Sequence, residues 1–258
     1  MKILYRLAKR LQFLDRLVPL SRRVPFRYFA SEKVFGGLEP EMKLLPKLVS
    51  RNGVSIDVGA NRGTYTYALA KLCRNVIAFE PIPDCVRSLK AWAAGKNVEI
   101  HDCALGEQKG QFTLYLPVVR GMLVTTRASL VDTEGQVVEL PVQVRRLDDF
   151  ELGNVCFIKV DVEGFELAVL KGATRIMRES HPNLLIEIDP IRSPENFELT
   201  FAWLASQNYD AHYLDDGGLR RCDTSIRRSR PDIYNFVFLP AGSGTVVNSR
   251  AEIEAQQS

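Results

Sequence analysis

The sequence predicts an α/β fold built on a mainly parallel β-sheet. From residue 54 onwards, short apolar runs alternate with helical segments, a pattern typical of βαβ units. The run Val155–Val160 is apolar apart from Lys159, as expected for a central strand covered on both faces. The composition, with 46% apolar and 25% charged residues, excludes the disordered, collagen-like and disulfide-framework classes. At 258 residues, one domain with a small appendage is favoured over two independent domains.

The chain divides into an arm over residues 1–35, a main domain over residues 36–240 and a polar tail over residues 241–258. Residues 1–27 contain eight basic residues and one acidic residue, so the net charge of +3 combines a +7 arm with a −4 remainder. Apolar residues of the arm recur at helical spacing, and we expect Pro19 and Pro25 to break that helix. Such a helix can lie on an anionic membrane surface, bind nucleic acid, or pack its apolar face on the main domain.

The elements of the main domain follow in order along the chain. Parallel strands are predicted at residues 54–58, 75–79, 98–101, 155–160 and 184–188, and helices at residues 64–72, 84–94, 165–179 and 194–207. Two alternating runs, residues 111–118 and 137–147, predict a β-hairpin inserted before the central strand. Residues 209–214 and 233–239 are strands with no helix between them, so we expect them to pair antiparallel at the sheet edge.

A glycine-rich loop, DVGANRG at residues 57–63, follows the first strand and precedes a helix. Such a junction lets a ligand approach the backbone, and the helix N-terminus offers free N–H groups. The loop lacks both the G-x-G-x-x-G spacing of dinucleotide sites and the G-K-[ST] ending of a P-loop. Glu80 ends the second strand, where a carboxylate can accept hydrogen bonds from both ribose hydroxyls. Together they predict a nucleoside ligand without a pyrophosphate.

The next strand ends carry further polar residues. Asp102 follows the third strand and can accept a hydrogen bond from the exocyclic amine of an adenine. Asp161 and Glu163 follow the central strand, at the crevice where open α/β sheets bind ligands. The alternative for Asp161 and Glu163 is that they cap the following helix.

Several segments together resemble the FkbM-type S-adenosylmethionine-dependent methyltransferases over about residues 53–240. These segments are DVGANRGTYT, AFEP, HDCALGE, IKVDVEGFELAVLKGA, LLIEI and the terminal NFVF. The resemblance implies a class I methyltransferase fold, Rossmann-like, with a seven-stranded sheet whose last strand runs antiparallel. It also implies S-adenosylmethionine-dependent O-methylation of a hydroxyl on a sugar, glycan or other small metabolite.

The resemblance also assigns site residues. The cofactor-binding residues it implies are Asp57, Gly59, Asn61 and Gly63 at the methionine end, Glu80 at the ribose, and Asp102, Cys103 and Ala104 at the adenine. Positions on the acceptor side are matched by Asp161, Glu163 and Asn235. The implied hydroxyl acceptor must lose a proton, and our catalytic candidates for taking it are Asp161 and Glu163, with His181 and His212 in reserve. We expect acceptor contacts from Asn235 and Glu187.

A divalent metal remains an alternative. Asp161 with Glu187 or Asp189, from neighbouring strand ends, would offer the oxygen ligands such an ion prefers. We do not favour a metal, because two acids near strand ends are common in such sheets. The basic run at residues 227–230 is either a solvated loop or a contact for an anionic acceptor.

Other functions stay open beside the methyltransferase prediction. An NAD(P)-dependent oxidoreductase is disfavoured by the broken dinucleotide fingerprint, and a non-catalytic nucleoside-binding module of the same fold is a further alternative. The −4 charge of residues 28–258 disfavours nucleic acid as a partner, while a homo-oligomer stays open. The sequence shows no signal peptide and no long apolar stretch, so we expect a cytoplasmic protein. Peripheral contact with the inner face of the membrane through residues 1–27 stays open.

Overall fold

The computed structural model describes residues 17–34, 38–119, 122–131, 135–216 and 218–243. The strands are β1 Val54–Val58, β2 Asn75–Phe79, β3 Val98–His101, β4 Ala104–Leu105, β5 Gly110–Val119, β6 Met122–Leu123, β7 Val137–Arg145, β8 Val155–Val160, β9 Asn183–Glu187, β10 Tyr209–Asp215, β11 Gly218–Arg221 and β12 Asn235–Pro240. The helices are α1 Leu20–Val34, α2 Leu45–Leu48, α3 Thr64–Leu69, α4 Pro83–Ala93, α5 Glu166–Lys171, α6 Thr174–Ser180, α7 Pro194–Ser206 and α8 Ile226–Ser229.

The main sheet confirms the α/β prediction. Its strand order is β11-β10-β12-β9-β8-β1-β2-β3, with β8 at the centre. Strands β1, β2, β3, β8 and β9 run parallel, whereas β12 runs antiparallel to both β9 and β10. Four of the five predicted parallel strands have the predicted bounds, and β9 both begins and ends one residue earlier than predicted. The sheet therefore has the doubly wound form that places binding residues at the carboxyl ends of its strands.

Within the described residues the main sheet has eight strands, so the prediction of seven was wrong. The additional strand, β11, pairs antiparallel with β10 and forms the sheet edge, which moves β10 one position inwards. Its sequence, GLRR, is short and polar, so it carries no alternating apolar signal. The predicted antiparallel pairing of the two C-terminal strands is confirmed between β10 and β12, but a short helix, α8, lies between them in the chain where none was predicted.

The predicted insertion is also confirmed. Strands β5 and β7 pair antiparallel, and with β4 and β6 they form a second sheet of four strands. One face of this sheet buries Leu114, Leu116, Val142 and Val144 in a cluster that includes Ile82 from the loop after β2. The insertion is thereby anchored beside the carboxyl ends of the main sheet's strands.

One predicted helix is interrupted. Residues 165–179 form two helices, α5 and α6, with Gly172 at the junction. A Cβ atom at Gly172 would lie 2.1 Å from the carbonyl oxygen of Gly106, and the Gly172 carbonyl accepts a hydrogen bond from the N–H of Asp148 at 2.9 Å. This close approach of two backbone segments ends the helix, and the helical periodicity of the sequence does not reveal it.

The arm differs from the prediction at Pro25, which lies inside helix α1 and does not end it. Packing holds the helix on the main domain, since Val24 is fully buried with Leu89 and Trp92, and the Tyr28 ring lies 4.7 Å from that of Tyr67. The amphipathic segment before Pro19 lies outside the described residues apart from its last two positions, as does the tail from residue 244. Of the helices that the structure describes, none has the length and apolar character needed to cross a membrane.

Candidate active site

A cleft of about 650 Å³ lies at the carboxyl ends of β1, β2 and β8, with the inserted sheet forming its opposite wall. Its polar lining comes from Asn61, Glu80, Thr125, Thr126, Asp161 and Glu163. Its apolar lining includes Phe79, Ile82, Leu105, Leu114, Ala128 and Leu130. We call this space the first cleft. It combines an apolar slot with carboxylates from two different strand ends.

The glycine loop closes one side of the first cleft. Gly59 has a φ of +80°, and a Cβ atom there would lie 1.9 Å from the carbonyl oxygen of Asp161. Only glycine permits this approach between the ends of β1 and β8. Gly63 also has a positive φ, but its added Cβ would meet Leu89 at 2.7 Å and Val24 at 3.0 Å. Gly63 therefore serves the packing of α1 and α4 on the loop, and it does not line the cleft.

Glu80 is the buried carboxylate of the first cleft. Its two oxygens accept the backbone N–H groups of Asn61 at 2.6 Å and Ile82 at 2.7 Å. The residue is 3% exposed, and burial raises the pKa of its carboxyl group to about 7. The Asn61 side chain accepts a hydrogen bond from the Thr125 hydroxyl at 3.2 Å, which ties the inserted sheet to the glycine loop. Each Glu80 oxygen retains a lone pair for a further donor.

Two predicted cofactor-binding residues, Asp57 and Asp102, point their carboxylates away from this cleft. Asp57 lies beneath the loop, where it accepts the Thr66 hydroxyl at 2.5 Å, and burial raises the pKa of its carboxyl group to about 6. Asp102 pairs with Lys90 at 3.1 Å on the surface, and this hydrogen bond holds the pKa of Asp102 below its ordinary value. Cys103 is buried in the core. The predicted residues that do line the cleft are Gly59, Asn61, Glu80 and Ala104.

The strand register brings the predicted acceptor-side acids together. Lys159 is paired with Leu185 and Val160 with Ile186, so Asp161 and Glu187 follow side by side at the ends of β8 and β9. Carboxylate oxygens of Asp161, Glu163 and Glu187 all lie within 4.8 Å of one another. We call these three residues the acid cluster. Asn235 is opposite Glu187 in the register of β9 and β12.

The acid cluster also lines a second cleft of about 830 Å³, which we call the second cleft. Asp161 and Glu163 border both clefts, so the two spaces meet at their side chains. Its other lining residues are Arg127, Gly164, Glu166, Asp189, Arg192, Ser193 and Tyr234. Asn235 lies beyond this lining, and its Nδ2 donates to Glu39 at 3.3 Å. The second cleft is strongly polar, which suits a hydroxylated ligand.

A buried lysine, to which the sequence pattern assigns no catalytic or binding role, lies beneath the acid cluster. Lys159 is 1% exposed, and its Nζ lies 4.0 Å from Asp161 Oδ2 and 3.8 Å from Glu187 Oε2. Burial and the Asp161 charge raise the pKa of Glu187 to about 8. Burial also raises the pKa of Asp161, while Lys159 and a hydrogen bond with Glu187 oppose that rise. Asp161 and Glu187 therefore titrate as a coupled pair beside the Lys159 ammonium.

Glu163 is fixed by two contacts. Its side chain pairs with Arg192 at 2.9 Å, and its carbonyl oxygen accepts the Ser129 hydroxyl at 2.6 Å. Neither Glu163 nor Asp161 caps the next helix. That helix has no side-chain cap, since its N-cap residue is Phe165, and Glu166 instead accepts the Gly164 N–H at 2.8 Å and the Asn196 amide at 2.5 Å. The carboxylates of Asp161 and Glu163 are thus left to face the clefts.

The histidine candidates do not join the site. His181 ends helix α6 with a φ of 46° and precedes β9, so it lies at the sheet edge opposite to the clefts. Roughly 13 Å of strand separates Asn183 from Glu187. His212 lies within β10 and lines neither cleft. The prediction of a catalytic His181 is therefore corrected, because a position before a parallel strand is at the wrong end of the sheet.

Two further predicted groups, the possible metal ligand Asp189 and the basic run at residues 227–230, make hydrogen bonds and ion pairs with neighbouring residues. Asp189 accepts the backbone N–H groups of Ile191 and Arg192, each at 2.9 Å, and so shapes the turn after β9. In the basic run, Arg227 pairs with Glu198 at 3.1 Å, and Arg230 pairs with Asp232 at 3.1 Å. These ion pairs leave little support for an anionic acceptor at residues 227–230.

Comparison with known proteins gives a consistent assignment. The profile of the Methyltransferase FkbM domain matches residues 57–211, which is more than half of the chain. Methyltransferase 1 of Beauveria bassiana (strain ARSEF 2860) is 29% identical over 157 residues, covering 52% of this chain and 63% of that protein. Methyltransferase sdnD of Sordaria araneosa is 28% identical over 171 residues, covering 53% of this chain and 66% of that protein. The matches thus span slightly less than two thirds of these relatives.

Solved structures support the fold. The crystal structure of methyltransferase FkbM from Methylobacillus flagellatus KT superposes with a TM-score of 0.50 at 20% identity. The superposition covers 88% of this chain and 57% of that chain. At this identity the likeness concerns the fold alone.

Proposed function

The chain belongs to the FkbM methyltransferase family, and from this membership we propose that it is an S-adenosylmethionine-dependent O-methyltransferase. The proposed acceptor is a hydroxyl group of a sugar, glycan or other small metabolite. The observation that carries the proposal is the meeting of the two clefts at Asp161. The first cleft suits a nucleoside, the second cleft is polar, and the Asp161 carboxylate lies between them.

The first cleft fits the proposed cofactor. Its apolar walls, which include Ile82, Leu105 and Leu114, suit the flat face of an adenine. Glu80 borders the same space, and its remaining lone pairs suit the two hydroxyls of a ribose. Gly59 and Asn61 form the side of the cleft that leads towards Asp161, where we place the methionine end. When bound, S-adenosylmethionine supplies an electrophilic methyl group.

The residues around the acid cluster prepare the acceptor. A hydroxyl in the second cleft donates its hydrogen bond to Asp161, and this carboxylate takes the proton as the oxygen becomes methylated. Glu163, held by Arg192, orients the acceptor from the cleft wall. Glu187 lines the same cleft and hydrogen-bonds further hydroxyls. Holding the reacting atoms in one geometry contributes much of the rate of such a transfer.

The polar second cleft favours a hydroxylated acceptor over an apolar one. Carboxylates accept hydrogen bonds from neighbouring hydroxyls, and Asp161, Glu163 and Glu187 are clustered at its base. Tyr234 borders this cleft and is 40% exposed, so it offers a ring face against which an acceptor can pack. These features support a sugar or another compact polyol.

Calorimetric titration with two ligands tests the cofactor part of the proposal. S-adenosylhomocysteine, the demethylated product, should bind with one site per chain, and NAD⁺ should give no heat of binding. Binding of NAD⁺ without binding of S-adenosylhomocysteine would instead support an oxidoreductase. Binding of S-adenosylhomocysteine without methyl transfer to any hydroxylated compound tested would support a nucleoside-binding module.

A further inference from the structure

We infer that Lys159 is a positioning residue for methyl transfer. Its ammonium group keeps the Asp161 carboxylate ionised and directed at the acceptor. In this position it supplies the positive charge that a divalent cation would supply in another enzyme. The inference rests on the proposed function, because it concerns the base of that reaction. Lys159 itself does not line either cleft. It acts only through Asp161 and Glu187.

The strand geometry places Lys159 beneath the acids. Residues two apart in a strand share a face, so Lys159 and Asp161 point to the same side of the sheet. The register of β8 with β9 puts Glu187 beside Asp161 on that side. The Lys159 ammonium lies 4.0 Å from one carboxylate and 3.8 Å from the other, between the two chains. One cation therefore bridges the ends of two adjacent strands.

Lys159 is enclosed by acids on every element packed against it. A buried ammonium group is costly unless it is paired, and here the pairing is extensive. The titratable groups that face it are Asp57 from β1, Tyr65 from α3, Glu39 and Glu41 from the segment before α2, Asp161 after β8, Glu187 from β9, and, through Asp161, Glu163. Burial lowers the pKa of Lys159, but Asp161, Glu187, Glu39 and Asp57 together raise it above its ordinary value. The ammonium form is thus the form present at neutral pH.

Glu39 extends the network towards the acceptor side. It accepts the Tyr65 hydroxyl at 2.6 Å and the Asn235 amide at 3.3 Å, and the Tyr65 ring lies 5.1 Å from the Lys159 ammonium. The lysine thus has a ring on one side and carboxylates on the others. The ammonium also donates a hydrogen bond to the carbonyl oxygen of Val160 at 3.4 Å, and this contact helps to hold it beside the Asp161 carboxylate.

The same geometry disfavours a metal ion in the acid cluster. A divalent cation bound by Asp161 and Glu187 would lie close to an ammonium group that is already within 4.0 Å of both. Like charges at such a distance in a partly buried site repel strongly. The negative charge of the acid cluster is reduced instead by a proton on Glu187, whose pKa is raised to about 8. The Lys159 ammonium and the Glu187 proton together supply the positive charge that a divalent metal ion would otherwise bring.

The test replaces the buried cation and follows the Asp161 carboxyl group directly. Carboxyl-carbon NMR of protein labelled at aspartate, assigned with Asp161→Asn, gives the pKa of Asp161 in the wild type, Lys159→Met and Lys159→Arg. Loss of the positive charge favours the protonated carboxyl group, so Lys159→Met should raise the pKa by at least about one unit, and Lys159→Arg should largely restore it. Lys171→Met, which removes a surface lysine paired with Glu107, is the matched control and should change nothing.

Activity and cofactor binding are measured on the same proteins. In Lys159→Met the acidic limb of the kcat/KM profile should move to higher pH by the same amount, with the affinity for S-adenosylhomocysteine within about threefold of wild type. The wild-type turnover should be unaffected by EDTA. If Lys159→Met does not fold by circular dichroism, Lys159→Gln provides the neutral variant.

An unchanged Asp161 pKa in a folded neutral variant would overturn the inference, as would loss of wild-type turnover in EDTA. An equal shift in Lys159→Arg and Lys159→Met would do the same, because charge would then not be the cause. A wild type that binds no S-adenosylhomocysteine would contradict the proposed function instead, and the NMR result stays readable in that case.

Discussion

Replacement of Gly59 by alanine tests whether the glycine loop is shaped by its contact with the end of β8. The backbone at Gly59 has a φ of +80°, and the new Cβ would lie 1.9 Å from the carbonyl oxygen of Asp161. Real Cβ atoms essentially never approach a heavy atom within 3.0 Å. The loop or the β8 end must therefore shift, and both border the first cleft.

The size of the effect follows from two contributions. The left-handed backbone costs an alanine roughly 1–2 kcal/mol, partly offset by the smaller entropy of its unfolded chain. The forced movement adds about 1–3 kcal/mol, as for other overpacked sites. Gly95→Ala is the matched control, because Gly95 has a φ of +73° with nothing within 4 Å of an added Cβ. We expect Gly95→Ala to lose about 1 kcal/mol and Gly59→Ala about 3 kcal/mol or more.

Urea unfolding followed by circular dichroism measures both variants, and calorimetry measures their affinity for S-adenosylhomocysteine. Gly59→Ala should also bind the ligand at least about tenfold more weakly, because the displaced loop carries part of the cleft wall. Gly95→Ala should bind it as the wild type does. Equal losses of stability in the two variants would refute the argument, since the backbone conformation alone would then account for the effect.

Two further predictions concern buried and exposed acids. Glu80→Gln should weaken S-adenosylhomocysteine binding about tenfold or more by calorimetry, because a charged hydrogen-bond acceptor in the first cleft is lost. Asp102→Asn should leave this affinity within about twofold of wild type, since Asp102 pairs with Lys90 outside the cleft. Glu166→Gln tests how the pKa of a buried carboxyl group makes stability depend on pH. Burial raises the pKa of Glu166 in the folded state from 4.5 to about 7. The contribution of Glu166 to stability is therefore present below pH 4.5 and is lost as the pH rises through 7. The wild-type unfolding free energy should therefore fall by up to about 3 kcal/mol more than that of Glu166→Gln between pH 5 and pH 8, and parallel curves would exclude this effect.

Much of the main sheet could be predicted from the sequence, because its parallel strands are apolar runs bounded by polar residues. β11 could not, since GLRR has neither apolar alternation nor β-branched residues. The break between α5 and α6 depends on a contact between Gly172 and Gly106, and the passage of α1 through Pro25 depends on packing against α4. Contacts between distant segments decided each of these differences.

The candidate site was likewise predictable from the sequence only in part. Strand ends identified Glu80 and Asp161, because the carboxyl ends of parallel strands meet at one edge. The position of a residue at a strand end does not fix where its side chain points, and Asp102 turned to Lys90. Lys159 could have been noticed as a charge within an apolar strand. Two of the partners that explain it, Glu39 and Asp57, lie more than a hundred residues away in sequence.

The central claim is that Asp161 takes the proton of an acceptor hydroxyl during methyl transfer. Its most direct test is S-adenosylhomocysteine formation from S-adenosylmethionine with a panel of sugars and other polyols, comparing wild type with Asp161→Asn. We expect turnover by the wild type on at least one acceptor and, at saturating S-adenosylmethionine, a loss of about a hundredfold or more in the variant. Wild-type turnover by Asp161→Asn at neutral pH would contradict it.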